Sequence, residues 1–369
     1  MIFFLILSFG RILFVQLLAY MWSRIQVVNI KSHPGCTFSV LIPVRNEAQN
    51  IINLLKDLES QDYPFKYFEV IIIDDHSEDE TMALVNEYIS DSSLNIQILQ
   101  LKDQVGKKAA ITSGIQEAKN EYILATDGDC RLPTSWIRSF ASRYEQSDSP
   151  NMIVAPVLME ATDLFTSIQL MEFSALIGFG GSSLQMGTAA TCNGANISYK
   201  KSIFNEVEGY SGNENIPSGD DEFLMLKIFR KFKGSIAFLK SREAVVTTPA
   251  KQNIKDLINQ RIRWSSKWKF HKSSYITSTA MLFFADYAFL IYGVIMAMLG
   301  SIHFDLVATI LIVRWLTEYY YILNVVKFLG GKTRWINFLI MQIIYPVFVI
   351  FLGIASIFGI YHWKGRSYS

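Results

Sequence analysis

"FEVIIIDDHSEDETMALVNEYIS", residues 68–90, decides the reading of the fold. A β-branched apolar run of strand length breaks off at Asp74, a polar segment rich in acids follows, and apolar residues then return at helical spacing. Strand, acidic loop and helix in one short stretch form half of the repeating unit from which parallel sheets are built.

The same texture extends on both sides. "FSVLIPV" (38–44), "IQILQL" (96–101), "YILATD" (122–127) and "MIVAPV" (152–157) read as further buried strands, and "AQNIINLLKDLESQ" (48–61) as another amphipathic helix. The alternation predicts an α/β domain over about 38–250, with a parallel sheet covered on both faces. Ligands of such sheets bind beyond the carboxyl ends of the strands. Those ends carry "PVRNE", "DDHSED", "VGKKAA" and "DGDCR", and are expected to converge on one site.

The flanks are different in kind. The chain has 369 residues, 50% of them hydrophobic and 14% aromatic, too apolar for an ordinary soluble enzyme. Residues 2–22 form an apolar run long enough to span a bilayer, with no basic segment before it and no small-residue cleavage site after it, so an uncleaved anchor over 1–24 is expected. Arg11 in its middle, at a cost of roughly 3 kcal/mol if left facing lipid, should face protein or water. Three more runs, at about 275–299, 304–326 and 336–361, are long enough to span, giving about three C-terminal helices over 275–361. Arg314 and Glu318 stand four apart and should pair on one helical face.

Basic residues set the expected orientation. Lys251, Lys255, Arg261, Arg263, Lys267, Lys269 and Lys272 precede the first C-terminal span, and Lys327, Lys332 and Arg334 fill the second loop, whereas "SIHFD" between the spans has no Lys or Arg. The central domain should therefore be cytoplasmic, on a bacterial inner membrane, with 251–273 as an interfacial amphipathic segment. Four spans put the tail outside, against Lys364 and Arg366 within it. The net charge of +1 gives no sign of nucleic-acid binding. Three cysteines without CxxC spacing and five scattered histidines argue against a disulfide framework and against zinc.

Asp127 and Asp129, one residue apart at a strand end, suit a hard divalent cation completed by phosphate and water, and Gly128 would leave room for the phosphate. Alone, the pattern reads equally as a turn capping the next helix. Lys107 and Lys108 can meet a diphosphate or simply be solvated. "GFGGSS" (178–183) lacks the third glycine of a dinucleotide fingerprint and follows no clear strand.

Taken in order, "SVLIPVRNEAQNI" (39–51), "VIIIDDHSEDET" (70–81), "GKKAAI" (106–111), "TDGDC" (126–130), "SGDDEFL" (218–224) and "QRIRW" (260–264) resemble the family-2 inverting glycosyltransferases with the GT-A fold. The narrower resemblance is to the membrane-embedded branch with Q-x-x-R-W: cellulose, hyaluronan and poly-N-acetylglucosamine synthases and ceramide glucosyltransferases. It implies a GT-A nucleotide-sugar-binding domain in which Pro43, Arg45 and Glu47 line the nucleotide pocket, Asp75 contacts the base and Lys107 sits near the phosphates. Asp127 would stand near the ribose and diphosphate, and Asp129 would ligate Mg²⁺ or Mn²⁺. Asp221 aligns as the catalytic base, with Asp220 where the family usually has Glu. Gln260, Arg263 and Trp264 would serve the donor, and Gly194 and Asn196, with Lys200, would approach the acceptor.

The implied activity is transfer of a sugar from a nucleotide sugar, UDP-linked, to a polysaccharide or a lipid acceptor. A processive synthase and a single-addition glycolipid enzyme both fit the motifs. A membrane component that merely binds nucleotide would lack the base or the metal acids, which are present. A nucleotidyltransferase would want a glycine-rich basic loop in place of "PVRNEA".

Overall fold

The computed structural model describes residues 2–30, 35–214, 216, 218–267, 274–358, 360–364 and 366–368. Lys269 and Lys272, and with them 268–273 of the expected interfacial segment, lie outside the described residues, as do His33 and His271. The chain forms two compact units. One is helical (Met1–Arg24, Glu160–Ser183 and Ala250–Ser369); the other is α/β (Ile25–Met159 and Leu184–Pro249).

The helical unit holds α1 (Ile2–Arg24), α6 (Leu164–Gln185), α9 (Ile254–Ser266), α10 (Ser274–Met298), α11 (Phe304–Leu329) and α12 (Trp335–Phe358), then a hairpin of β10 (Tyr361–Trp363) and β11 (Arg366–Tyr368). The α/β unit holds β1 (Phe38–Val44), α2 (Ile51–Glu59), β2 (Phe68–Asp74), α3 (Thr81–Asp91), β3 (Ile96–Gln100), α4 (Lys107–Glu117), β4 (Tyr122–Ala125), α5 (Trp136–Tyr144), β5 (Met152–Val154), β6 (Val157–Met159), β7 (Ile197–Lys200), α7 (Lys201–Glu206), α8 (Asp220–Lys231), β8 (Ile236–Phe238) and β9 (Val246–Thr248).

The main sheet runs β3-β2-β1-β4-β7-β5-β8. β1 to β4 pair in parallel as their sequences predict, and Val44 lies opposite Asp74, which lies opposite Gln100, so the first three strands end in line. β7 departs from the all-parallel expectation: it pairs antiparallel with both β4 and β5. "MIVAPV" also divides. Its first half is β5 in the main sheet, while Pro156, having no N–H to give a ladder, separates it from β6, which pairs with β9 in a two-stranded sheet. Val40, Leu41, Ile42, Ile71 and Ile72 are fully buried, as strands covered on both faces require. On α2, Ile51, Leu54, Leu55 and Leu58 form the buried face, and Leu54→Ala would cost about 2–5 kcal/mol there.

Among the described residues, five helices are long and apolar enough to cross a membrane: α1, α6, α10, α11 and α12. The N-terminal one and the three C-terminal ones match the sequence reading; α6, inside what reads as soluble sequence, does not. β7, after α6, pairs with β4 and β5, before it, so both flanks of α6 lie on one side of any membrane and the helix does not cross. Its most apolar window is 67% buried within the protein, against 22–28% for the other four. "GFGGSS" falls in α6, where a side chain at Gly178 would meet Tyr321 and Val325 of α11, so this glycine permits close helix packing.

Charge inside the apolar helices is paired. Arg314 donates to both carboxylate oxygens of Asp286 at 2.8 and 2.7 Å and lies 3.4 Å from Glu318, so the expected pair exists but is shared. Arg11, a defect when α1 is read alone, donates to Glu318 at 2.9 Å and stacks over Phe283.

Candidate active site

Two loops form the first wall. Arg45, buried just after β1, donates Nη1 to the carbonyls of Asp75 (2.9 Å) and His76, and Nη2 to Glu78 (2.8 Å). The Glu47 N–H donates to the Thr81 hydroxyl at 2.7 Å, and Asp79 accepts from the N–H groups of Ala48 and Thr81. Asn46 and His76 both adopt left-handed φ (53° and 59°), which lets each chain turn sharply at its strand end. Pro43, Arg45, Glu47 and Asp75 are thus brought together, with the Arg45 fork tying one loop to the other. Asp75 is buried, and its Oδ1 lies 3.3 Å from the His76 ring.

The second wall is acidic. Gly106, at φ 95°, delivers the chain into α4, whose first residue is Lys107. Its ammonium lies 2.6 Å from Asp127 and 3.4 Å from Asp220. Burial opposes the charge, but Asp127 and Asp220 prevail and hold the lysine well above its ordinary range, so it stays an ammonium. The Asp127–Cys130 turn is fastened by the Cys130 N–H to the Asp127 carbonyl (3.2 Å) and by the pairing of Arg131 with Thr247. A Cβ at Gly128 would stand 3.0 Å from Glu47 Cγ, so the room this glycine leaves is taken by Glu47, not held open for a phosphate.

Gly219, at φ 79°, starts α8 and presents Asp220 and Asp221 from its first turn. Asp221 Oδ2 accepts the Gly194 N–H at 2.8 Å and Oδ1 accepts the Glu222 N–H at 2.7 Å, which fixes the carboxylate's plane. A Cβ on Gly194 would stand 3.0 Å from Lys107 Nζ and 3.1 Å from Asp220 Oδ2, so glycine allows the close approach. Thr191 donates to Glu222 at 2.6 Å and ties the same loop to α8.

Two acceptor candidates fall away. Asn196 is fully buried: its Nδ2 donates to the carbonyls of Pro156 and Ala244, both at 2.7 Å, and its Oδ1 accepts from Trp136 at 2.8 Å, so its amide serves the core. Lys200 pairs opposite Tyr122, at the amino end of β4, away from the site edge.

Gln260, Arg263 and Trp264 belong to the helical unit. There Gln260 accepts from Arg261 Nη1 at 2.5 Å, and the Trp264 ring lies 4.3 Å from the Arg261 guanidinium and packs on Phe173. Arg261, counted in the sequence only as one basic charge, is buried and donates Nη2 to Glu172 of α6 at 2.7 Å. Nothing local in either sequence segment signals this pairing.

Asp127 and Asp129 stand together at the end of β4, and no cluster of three or more metal-ligating side chains occurs among the described residues. Such a donor set does not make a closed cage. It fits a hard cation that keeps waters and takes its remaining oxygens from a bound diphosphate.

Residues 39–208 match the family described as Glycosyl transferase family 2. The chain is 36% identical over 99 residues to Glycosyltransferase AglE of Haloferax volcanii (27% of this chain, 32% of the relative). It is 24% identical over 246 residues to the poly-beta-1,6-N-acetyl-D-glucosamine synthase of Staphylococcus epidermidis (66% and 57%). It thus spans between about a third and three fifths of these relatives. Among solved structures it resembles the mannosyltransferase PcManGT from Pyrobaculum calidifontis, described in complex with GDP-Man and Mn²⁺, at TM-score 0.59 and 14% identity, covering 96% of this chain and 98% of that one. That likeness is one of fold. Strands β2 to β7, the D-x-D turn and the Gly194 loop fall within the matched span, and over it the chain carries a glycosyl transferase family 2 domain of GT-A fold.

Proposed function

We propose that the chain is a membrane-bound inverting glycosyltransferase that moves a sugar from a UDP-sugar to a polysaccharide or lipid acceptor at the cytoplasmic face of a bacterial inner membrane. The observation that carries this reading is the convergence of Lys107, Asp127, Asp220 and the Gly194-held Asp221 at one sheet edge. Asp221 accepts the proton of the acceptor hydroxyl while that oxygen forms its bond to the anomeric carbon and the bond to the diphosphate breaks on the opposite face; no covalent enzyme intermediate is needed. Lys107 offers a positive charge to the phosphates. Asp129 would hold a bound Mg²⁺ or Mn²⁺, which would supply Lewis-acid stabilisation of the departing nucleoside diphosphate. Pro43, Glu47 and Asp75 would bound the base and ribose, with Arg45 holding their loops, and Gln260, Arg263 and Trp264 keep the donor role that the resemblance gives them.

Two relatives support the acceptor classes: the poly-beta-1,6-N-acetyl-D-glucosamine synthase, and a dodecaprenyl-phosphate galacturonate synthase of Rhizobium johnstonii, 30% identical over 112 residues. The test is to incubate membranes with labelled nucleotide sugars and Mn²⁺ or Mg²⁺ and to size the product. Long polymer selects a processive synthase, and a single-sugar lipid selects the glycolipid enzyme. No turnover with any donor, or full turnover by Asp221→Asn, refutes the mechanism.

A further inference from the structure

Lys108 follows Lys107 on α4 but turns the other way. It is buried, its ammonium donates to the carbonyls of Asn213 (2.6 Å) and Ile216 (2.8 Å), and it lies 5.1 Å from the centre of the Phe223 ring. A buried ammonium is costly to desolvate, so hydrogen bonds this short hold their partners firmly. The two carbonyls lie in the segment that enters α8, and Phe223 lies two residues beyond Asp221. Adjacent residues of α4 therefore grip both sides of the α8 N-terminus: Lys107 through the Asp220 carboxylate, Lys108 through the main chain that leads to it.

The outer part of the same connection is held by a different lysine. Lys227, on the second turn of α8, donates to the carbonyls of Gly209 and Ser211, both at 2.8 Å, and reaches those of Val207 and Glu208. Lys227 ties the loop back to its own helix, whereas Lys108 ties it to the helix that carries Lys107.

We propose that Lys108 is a positioning residue for the transfer step: it sets where α8 begins and thereby holds Asp221 at a fixed distance from the phosphate-facing Lys107. The inference rests on Asp221 being the base, and its test has one arm that does not. In the full-length protein, Lys108→Met, Lys108→Arg and Lys227→Met are compared with wild type by hydrogen exchange, by UDP binding with Mn²⁺, and by turnover of whichever nucleotide sugar the wild type uses. Lys108→Met is expected to speed exchange across 213–224, to leave the UDP Kd within about twofold, and to lower kcat about 100-fold, the scale of a roughly 1 Å misplacement of a reacting group. Lys108→Arg, which keeps the charge and the donors, should recover most of that loss, and Lys227→Met should stay within about threefold of wild-type kcat, since it leaves the α4–α8 grip intact. Unchanged exchange over 213–224 in Lys108→Met overturns the proposal whether or not any donor is turned over. So does a kcat loss matched by an equal loss of UDP affinity, or one equalled by Lys227→Met.

Discussion

Replacing Lys107 with Met removes the ammonium that pairs with both the Asp127 and the Asp220 carboxylates. The side chains of Lys107, Asp127 and Asp220 are 19%, 37% and 15% exposed. At an effective dielectric of about 20, two unit charges at these separations attract by roughly 5–6 kcal/mol, but desolvation takes back most of it. A charge-assisted hydrogen bond is worth about 1.5–3 kcal/mol net, and the exposure of Asp127 pulls the figure toward the lower end, to about 2 kcal/mol. For a unit of this size that is a fall of about 4–8 °C in Tm. Asp127, Asp220 and Asp221 then face one another without the ammonium, so Mn²⁺ alone should raise the Tm of Lys107→Met by more than it raises that of wild type. Turnover should fall about 100- to 1000-fold, as when one pre-set donor to a developing anion is removed. Thermal unfolding in detergent with and without Mn²⁺ reads the first two effects. A Tm within about 1 °C of wild type, or a Mn²⁺ response no larger than that of wild type, would refute the reasoning.

Two further outcomes follow from other parts of the chain. Glu172→Gln leaves Arg261 buried without its carboxylate and should destabilise the helical unit by about 3–5 kcal/mol, whereas the double change with Arg261→Met should cost less than the single one; unfolding in detergent compares them. Burial works against the Asp79 carboxylate, yet bonds from the Thr81 hydroxyl and N–H and from the Ala48 N–H hold it below its usual 3.8. Its contribution is therefore complete above about pH 4 and is lost as pH falls through the folded value, so Asp79→Asn should lower Tm at pH 6 and flatten the decline below pH 4.

What could be read in advance was what depends on local pattern. β1 and β2 have the bounds their apolar runs give, because strands buried on both faces write themselves as continuous Val and Ile. The site edge was legible for the same reason: once the strands are parallel and in register, whatever follows each run must meet its neighbours. β7 was not legible, since "ISYK" is too short and mixed to stand out and its burial comes from strands distant in sequence. Asn196 was misread because an Asn in a polar loop looks the same whether its amide faces ligand or core; three specific partners make the difference. Lys108 was read only as one of a pair, for neither of its carbonyl partners leaves any trace in side-chain sequence.

The arginines of the helical unit carry that lesson further. Arg11 and Arg314 each interrupt an apolar segment and Arg261 sits in a basic one, and each is answered by a carboxylate on another helix: Glu318 on α11, Asp286 on α10 and Glu172 on α6. Arg314 also has a carboxylate on its own helix, at 3.4 Å, longer than its 2.7 Å contact across to α10, and Arg261 also reaches Gln260 beside it on α9. Apolar helices in an apolar solvent have little to fix their rotation and register, because one Leu face packs much like another. A buried ion pair contributes less to net stability than its geometry suggests, but it penalises every register that separates the two charges. Arg11 therefore fixes α1 against α11, Arg314 fixes α11 against α10, and Arg261 fixes α9 against α6. The charges that interrupt α1 and α11 one by one, with Arg261 on α9, are what specify a single arrangement of these helices together.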